Sequence, residues 1–302
     1  MTTSVPHLNT EPEVAERPAV ERRGLKKGLY LIPSAFTAAN IGMGFFAVMA
    51  ALRGFQLVAG GGEDELARAA AHFDNAAKAI GWAVLFDMLD GRIARMTKTT
   101  TEIGVQLDSL ADVVTFGIAP AVLAYAWGYG SALRDGSDLH KLGWFLSFMY
   151  LMCGVFRLAR FNVQAARPRI LAEGTPKLDK KNFIGLPIPA AAALIVAIIH
   201  YAPRPLVEYE PRLAILYSCL LMVLVGCLSA LMVSTLRYSS FKSVGTRRRS
   251  TRLVILLVAS IGMLVWLYSR YVLLILIVTY FLQGLLARVA AIFRKRSERE
   301  KK

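Results

Sequence analysis

An all-α, polytopic membrane helix bundle is the fold class that three observations predict for this chain of 302 residues. Hydrophobic residues make up 55% of it. Apolar runs of roughly 17 to 25 residues, long enough to cross a bilayer core as helices, recur along it. The chain nonetheless carries a formal charge of +15, a combination rare in soluble proteins and ordinary in membrane proteins with basic loops.

Taken in order, the runs predict eight spans, near residues 30–52, 76–92, 104–130, 142–164, 186–203, 212–236, 252–268 and 271–291. The last two are short and close together, so six or seven spans is the alternative count. Residues 1–29 are polar, with no apolar stretch ahead of the first span, and read as a disordered basic tail without a cleavable signal peptide. Cys153, Cys219 and Cys227 fall inside predicted spans and read as small buried hydrophobes rather than disulfide partners. His7, His72, His140 and His200 have no metal-ligand spacing and are given no role.

Basic residues mark the cytoplasmic side of short loops. With both termini inside, 28 of the 36 Lys and Arg fall on cytoplasmic segments, and the link between the second and third spans faces the cytoplasm. The basic runs, such as Arg247–Arg248–Arg249, are accounted for by topology and by attraction to anionic headgroups. Nucleic acid is not expected as a partner, because no soluble domain presents a basic face.

That cytoplasmic link is flanked by four aspartates in the stretch FDMLDGRIARMTKTTTEIGVQLDSLAD, residues 86–112. A charge at the centre of a spanning helix costs about 2.5 to 3.5 kcal/mol even on a lenient insertion scale, so four need a partner. Asp87 and Asp90 are i, i+3; Asp108 and Asp112 are i, i+4. Each pair projects from one face of its helix, and the short link lets the faces meet as an antiparallel hairpin. Four carboxylates with no His or Cys nearby form an all-oxygen site suited to hard divalent cations, Mg²⁺ or Mn²⁺, and four acids can hold two of them. Gly91 removes a side chain beside Asp90, Gly104 thins the start of the next helix, and Arg95 can reach phosphate oxygens. Together these predict a metal site for phosphoryl transfer. The plainer reading is helix-end acids paired with Arg92, Arg95 and Lys98; it suits any one aspartate better than all four.

The pattern Asp87-x2-Asp90-Gly91-x2-Ala94-Arg95-x8-Gly104-x3-Asp108-x3-Asp112 resembles the signature of the CDP-alcohol phosphatidyltransferases at every fixed position. The resemblance implies a six-helix core holding two divalent cations, in which an alcohol displaces CMP from a CDP-linked lipid. It implies Asp87, Asp90, Asp108 and Asp112 as metal ligands, Asp112 also as the base, and Gly91, Arg95 and Thr101 at the CDP-diacylglycerol site. The opening IPSAFTAANIG is similar to the family's first-span motif, with Thr37 and Asn40 in place and Ser34 where the family has Asn. TTTEIGVQLDSLADVVTFGIAPA, RLARFNV at 157–163 and FIGLPIPAAA at 183–192 resemble the serine-using bacterial branch. That likeness implies L-serine as acceptor, a homodimer, and the inner membrane as location.

A serine carboxylate suits a bidentate arginine. Arg157 and Arg160, i, i+3 at the cytoplasmic end of the fourth span, are the candidates, with Asn162 beside them. Snorkelling to lipid phosphates is their plainer role. The runner-up is the same chemistry with glycerol 3-phosphate or inositol phosphate, using Arg167 and Lys177 as extra cations. A cation transporter would also place acids in spans, but gives no reason for Gly91, Arg95 and Gly104. The expected organisation is a tail (1–29), a catalytic membrane domain (30–236), and a basic loop with two further spans and a basic tail (237–302).

Overall fold

The computed structural model describes residues 23–97, 102–166, 182–234, 237–239, 260 and 262–283. Helices α1 (Arg23–Gly60) and α2 (Glu63–Thr97) form a long antiparallel hairpin. Then come α3 (Glu102–Asp112), a π-helical segment (Val113–Ile118), α4 (Ala119–Trp127) and the single turn α5 (Tyr129–Ala132). Helices α6 (Asp138–Ala166), α7 (Ile188–Tyr201) and α8 (Pro211–Val233) complete the bundle, followed by α9 (Gly262–Gln283). Strands β1 (Asn182–Ile184) and β2 (Arg237–Ser239) pair antiparallel, Phe183 opposite Tyr238, a feature the sequence reading did not anticipate.

Six helical stretches among the described residues are long and apolar enough to cross a membrane: Ala35–Gly60, Ile103–Ala132, Asp138–Val163, Ile188–Glu208, Pro211–Val233 and Gly262–Gln283. The outer surface is correspondingly apolar, with Phe45, Trp82, Trp144, Phe156 and Trp266 exposed. The chain is an integral membrane helix bundle, as its composition predicts.

Small residues set how closely α1 and α2 approach. Asn40, Gly44, Ala47, Ala51 and Gly54 are buried on α1 at alternating steps of four and three, and Ala69, Phe73, Ala76, Ile80 and Ala83 repeat that rhythm on α2. This is the seam of two helices packed nearly parallel in axis, with small side chains at the contact. Gly54 makes room for the Phe73 ring.

Gly44 faces the π segment. A Cβ there would stand 2.9 Å from the Thr115 Cα, so backbone would have to move, whereas one on Gly42 would meet nothing within 4 Å. Gly44→Ala is therefore expected to destabilise by about 1–3 kcal/mol through overpacking. Gly42→Ala, with the same gain in helix propensity, should hold or slightly raise the melting midpoint. Thermal unfolding of the two variants in detergent checks this.

The π segment has a local cause. Pro120 lacks the N–H that would bond the Phe116 carbonyl in a regular helix, and the buried Tyr150 hydroxyl donates to that carbonyl instead, at 3.1 Å. Thr115 donates to the Asn40 carbonyl at 3.0 Å, tying the segment to α1. Gly185 adopts φ +83, and a Cβ there would stand 2.6 Å from the Met232 carbonyl oxygen. Glycine therefore fits where the chain turns into α7. Pro187 caps that helix, so GLPIP shapes the helix entrance, as its sequence suggests.

Three expectations are corrected. Helix α1 already begins at Arg23, so residues 23–29 are helical rather than part of a disordered tail; residues 1–22 lie outside the described ones. The break expected between 268 and 271 is absent, because α9 runs through it. Its polar Ser269 is matched by His200 and its Tyr271 packs edge-on to Tyr201, so neither needs the helix to open to water. Residues 252–259 and 261, most of the seventh expected span, lie outside the described ones. Cys153 is buried, but Cys219 is only half-buried and Cys227 is exposed on the apolar exterior of α8; all three are free thiols.

His200 also has a role that its sequence context hides. Its Nδ1 lies 2.5 Å from Asp74 Oδ1 and its Nε2 lies 3.0 Å from Ser269 Oγ, while Lys78 pairs with Asp74 Oδ2 at 2.7 Å. The network joins α2, α7 and α9 and gives the buried Asp74 a partner at each oxygen, as an apolar bundle requires.

Candidate active site

The far end of the bundle from His200 carries the carboxylates. Asp87 comes from α2, and Asp108 and Asp112 from α3, the last helical residue before the π segment. Each offers one oxygen, and these oxygens lie within 4.8 Å of one another. All three residues are half-buried. The hairpin read from the sequence is therefore present, and it brings three of the four predicted ligands together. The side chains of Asp90 and Arg95, and all of Thr101, lie outside the described residues.

Three carboxylates this close repel one another unless protons or cations intervene. Asp108 Oδ1 is buried with no hydrogen-bond partner among the described residues. An orphaned carboxylate oxygen in an all-oxygen cluster suits a hard cation, so the residues present fit the divalent metal that the motif implies.

Helix α1 forms one wall. Phe36 and Phe86 lie tilted to one another, ring centroids 6.3 Å apart, which brings the α1 segment that carries Thr37 and Asn40 alongside the α2 segment that carries Asp87. Thr37 and Asn40 are buried, and the Oδ1 and Nδ2 atoms of Asn40 have no partner among the described residues. A buried amide with both ends open suits a polar ligand. Gly91 is half-buried and Gly104 exposed, each on its helix as predicted.

Helix α6 supplies the other wall. Arg157 is half-buried, interacts electrostatically with Asp112, and has a buried Nε without a partner among the described residues. Arg160, one turn on, is exposed. Asn162 Nδ2 donates to Ser109 Oγ at 2.8 Å, so its amide donor ties α6 to α3. Of the predicted acceptor residues, Arg157 is the one turned toward the carboxylates. Arg167 and Lys177 lie outside the described residues.

Sequence reasoning missed Ser109, Thr115, Tyr150 and Tyr280. Pro120 was the available signal for the π segment; its partner Tyr150 is 34 residues away and shows only in the fold. π segments recur beside functional sites, and this one re-aims the helix directly after Asp112.

Comparison with known proteins agrees with this geometry. The CDP-alcohol phosphatidyltransferase family model matches residues 30–220. A CDP-diacylglycerol–serine O-phosphatidyltransferase of Helicobacter pylori is 34% identical over 171 residues, 57% of this chain and 58% of that protein. Proteins of the same name match from Saccharomyces cerevisiae, 38% identical over 122 residues (40% of each chain), and from Methanocaldococcus jannaschii, 39% identical over 114 residues (38% of this chain, 45% of that one). The match thus spans a little over half the length of the Helicobacter relative. With the family model covering most of the bundle and the carboxylate hairpin inside it, this chain belongs to the CDP-alcohol phosphatidyltransferase family.

Proposed function

We propose that the protein transfers the phosphatidyl group of CDP-diacylglycerol to the hydroxyl of L-serine, giving phosphatidylserine and CMP. The observation that carries the reading is the cluster of Asp87, Asp108 and Asp112 with Arg157 beside it. The names of the matched relatives support serine as the acceptor.

In this reading Asp112 accepts the proton of the serine hydroxyl. The serine oxygen bonds to the lipid-linked phosphorus as the bond from that phosphorus to the CMP oxygen breaks. Arg157 holds the serine carboxylate, a task suited to a planar guanidinium. Arg160 and Asn162 stand at the mouth of that subsite. Thr37, Asn40, Arg95 and Thr101 line the nucleotide, and Gly91 lets its phosphates approach the backbone. Asp87, Asp90, Asp108 and Asp112 would hold two divalent cations, Mg²⁺ or Mn²⁺, which when bound neutralise charge on the transferring phosphates.

The carboxylate end faces the cytoplasm of a bacterial inner membrane, since the loops at that end carry most of the Lys and Arg. In this reading both termini belong on that side, and the start of α1, whose Phe36 meets Phe86 beside Asp87, lies at the carboxylate end. The catalytic domain is residues 30–236, and a homodimer rests on family resemblance alone.

The test is purified protein with CDP-diacylglycerol and a panel of alcohols, reading CMP release. L-Serine should release CMP, and glycerol 3-phosphate and inositol phosphate little. Turnover with a phosphorylated alcohol and none with serine would overturn the acceptor.

A further inference from the structure

Two hydrogen bonds fix how α6 runs past the hairpin. Tyr150 donates to the Phe116 carbonyl at 3.1 Å, and Asn162 donates to Ser109 Oγ at 2.8 Å. Arg157 lies between the two anchors on α6, and Asp112 lies between their two partners. Tyr150, Gly154 and Arg157 recur at steps of four and three, so they share one face of α6. The Tyr150 bond turns that face toward the π segment.

Between Tyr150 and Arg157 this face is notched at Gly154, and the π segment is notched nearby at Gly117; both glycines are buried. The tip of one side chain fills the two notches. Ile188, the first residue of α7 and fully buried, holds its Cδ1 2.5 Å from where a Cβ on Gly154 would stand and 3.9 Å from where one on Gly117 would stand. Ile188 is held from behind. The Leu186 N–H donates to the Leu231 carbonyl at 3.2 Å, Gly185 lies against the Met232 carbonyl, and β1, just before that turn, pairs with β2 beyond α8. The α7 entrance is thus clamped to the end of α8, and its leading side chain is seated between the element that follows Asp112 and the one that carries Arg157.

A wedge in a close-packed interior sets a separation, because its neighbours cannot collapse onto it. Asp112 lies one turn before Phe116, and Arg157 one turn beyond Gly154, so each moves with one of the walls that Ile188 holds apart. Resting on the proposed roles of Asp112 and Arg157, we infer that Ile188 is a positioning residue that gauges acceptor length. Seated in the Gly117–Gly154 notch, it sets the gap between the proposed base and the proposed carboxylate clamp. That gap admits a hydroxyl and a carboxylate spaced as in L-serine, and not one methylene further apart.

The measurement is CMP release by the full-length protein in detergent micelles, comparing kcat/KM for L-serine with that for L-homoserine, which is one methylene longer. The wild type should prefer L-serine by about 10- to 200-fold, the range that one methylene is worth in a pocket. Gly154→Ala drives a methyl into Ile188 and spreads the walls, and should lower that preference about tenfold. Adding Ile188→Val removes the colliding Cδ1 and conserves volume, and should restore the preference. The KM for CDP-diacylglycerol should hold throughout. A change in packing alone would lower the melting midpoint and slow both alcohols alike. Ile188→Val by itself frees the walls and should also narrow the preference. An unchanged preference in Gly154→Ala or, where that variant does not fold, in Ile188→Val overturns the inference. So does a double variant that stays impaired, or a wild type that uses the two alcohols equally. None of these results touches the proposed reaction. A wild type that uses glycerol 3-phosphate or inositol phosphate and neither amino acid overturns the serine reading, and the gauge with it.

Discussion

Asp112→Asn should lose about 10² to 10⁴ in turnover, the range that a positioned general base contributes, while still binding CDP-diacylglycerol. The serine hydroxyl is a weak nucleophile at neutral pH, so its proton must leave as the new bond to phosphorus forms. In the proposed reaction Asp112 accepts that proton. It ends α3 one turn beyond Asp108, with its carboxylate in the cluster and the Arg157 guanidinium in electrostatic reach. Asparagine keeps the size and one oxygen donor but removes the basicity. Loss of kcat with the KM for CDP-diacylglycerol unchanged would match that role. Near-normal turnover at saturating serine and metal would assign the proton to another carboxylate or to a phosphate oxygen of the substrate.

Chelation should have a still larger effect. Three carboxylates with oxygens within 4.8 Å and a substrate carrying two phosphates bring negative charge together from both sides. A hard divalent cation between them would offset that repulsion. EDTA should therefore abolish CMP release, and Mg²⁺ or Mn²⁺ should restore it. Ca²⁺ should restore less, since its larger, looser coordination fits a phosphoryl-transfer site poorly. Full activity in excess chelator would contradict a metal-dependent reaction.

The parts of this fold that depend on neighbours in sequence were legible. The carboxylate hairpin follows from two helical spacings and a short link. What depended on distant partners was not. Arg157 and Arg160 look alike in sequence, and which one faces α3 is set by the rotation of α6. That rotation is fixed by contacts such as Asn162 with Ser109, 53 residues apart. His200 read as a scattered histidine because Asp74 is 126 residues away and Ser269 is 69. The same network explains why α9 continues where its own polar residues suggested a break. The span boundaries moved for a related reason: α2 extends from Glu63 to Thr97 because its charged residues are paired or lie at its ends, which hydropathy alone does not weigh.

The carboxylate cluster as a cation site is the centre of this account, and Mn²⁺ binding followed by electron paramagnetic resonance on chelator-stripped protein tests it most directly. The wild type should bind two Mn²⁺ saturably, with the two spins coupled through space. Asp108→Ala, which removes the oxygen left orphaned in the cluster, should lose the coupled signal while keeping its helical circular dichroism. Equal Mn²⁺ binding by wild type and Asp108→Ala, or no saturable binding by either, would contradict it.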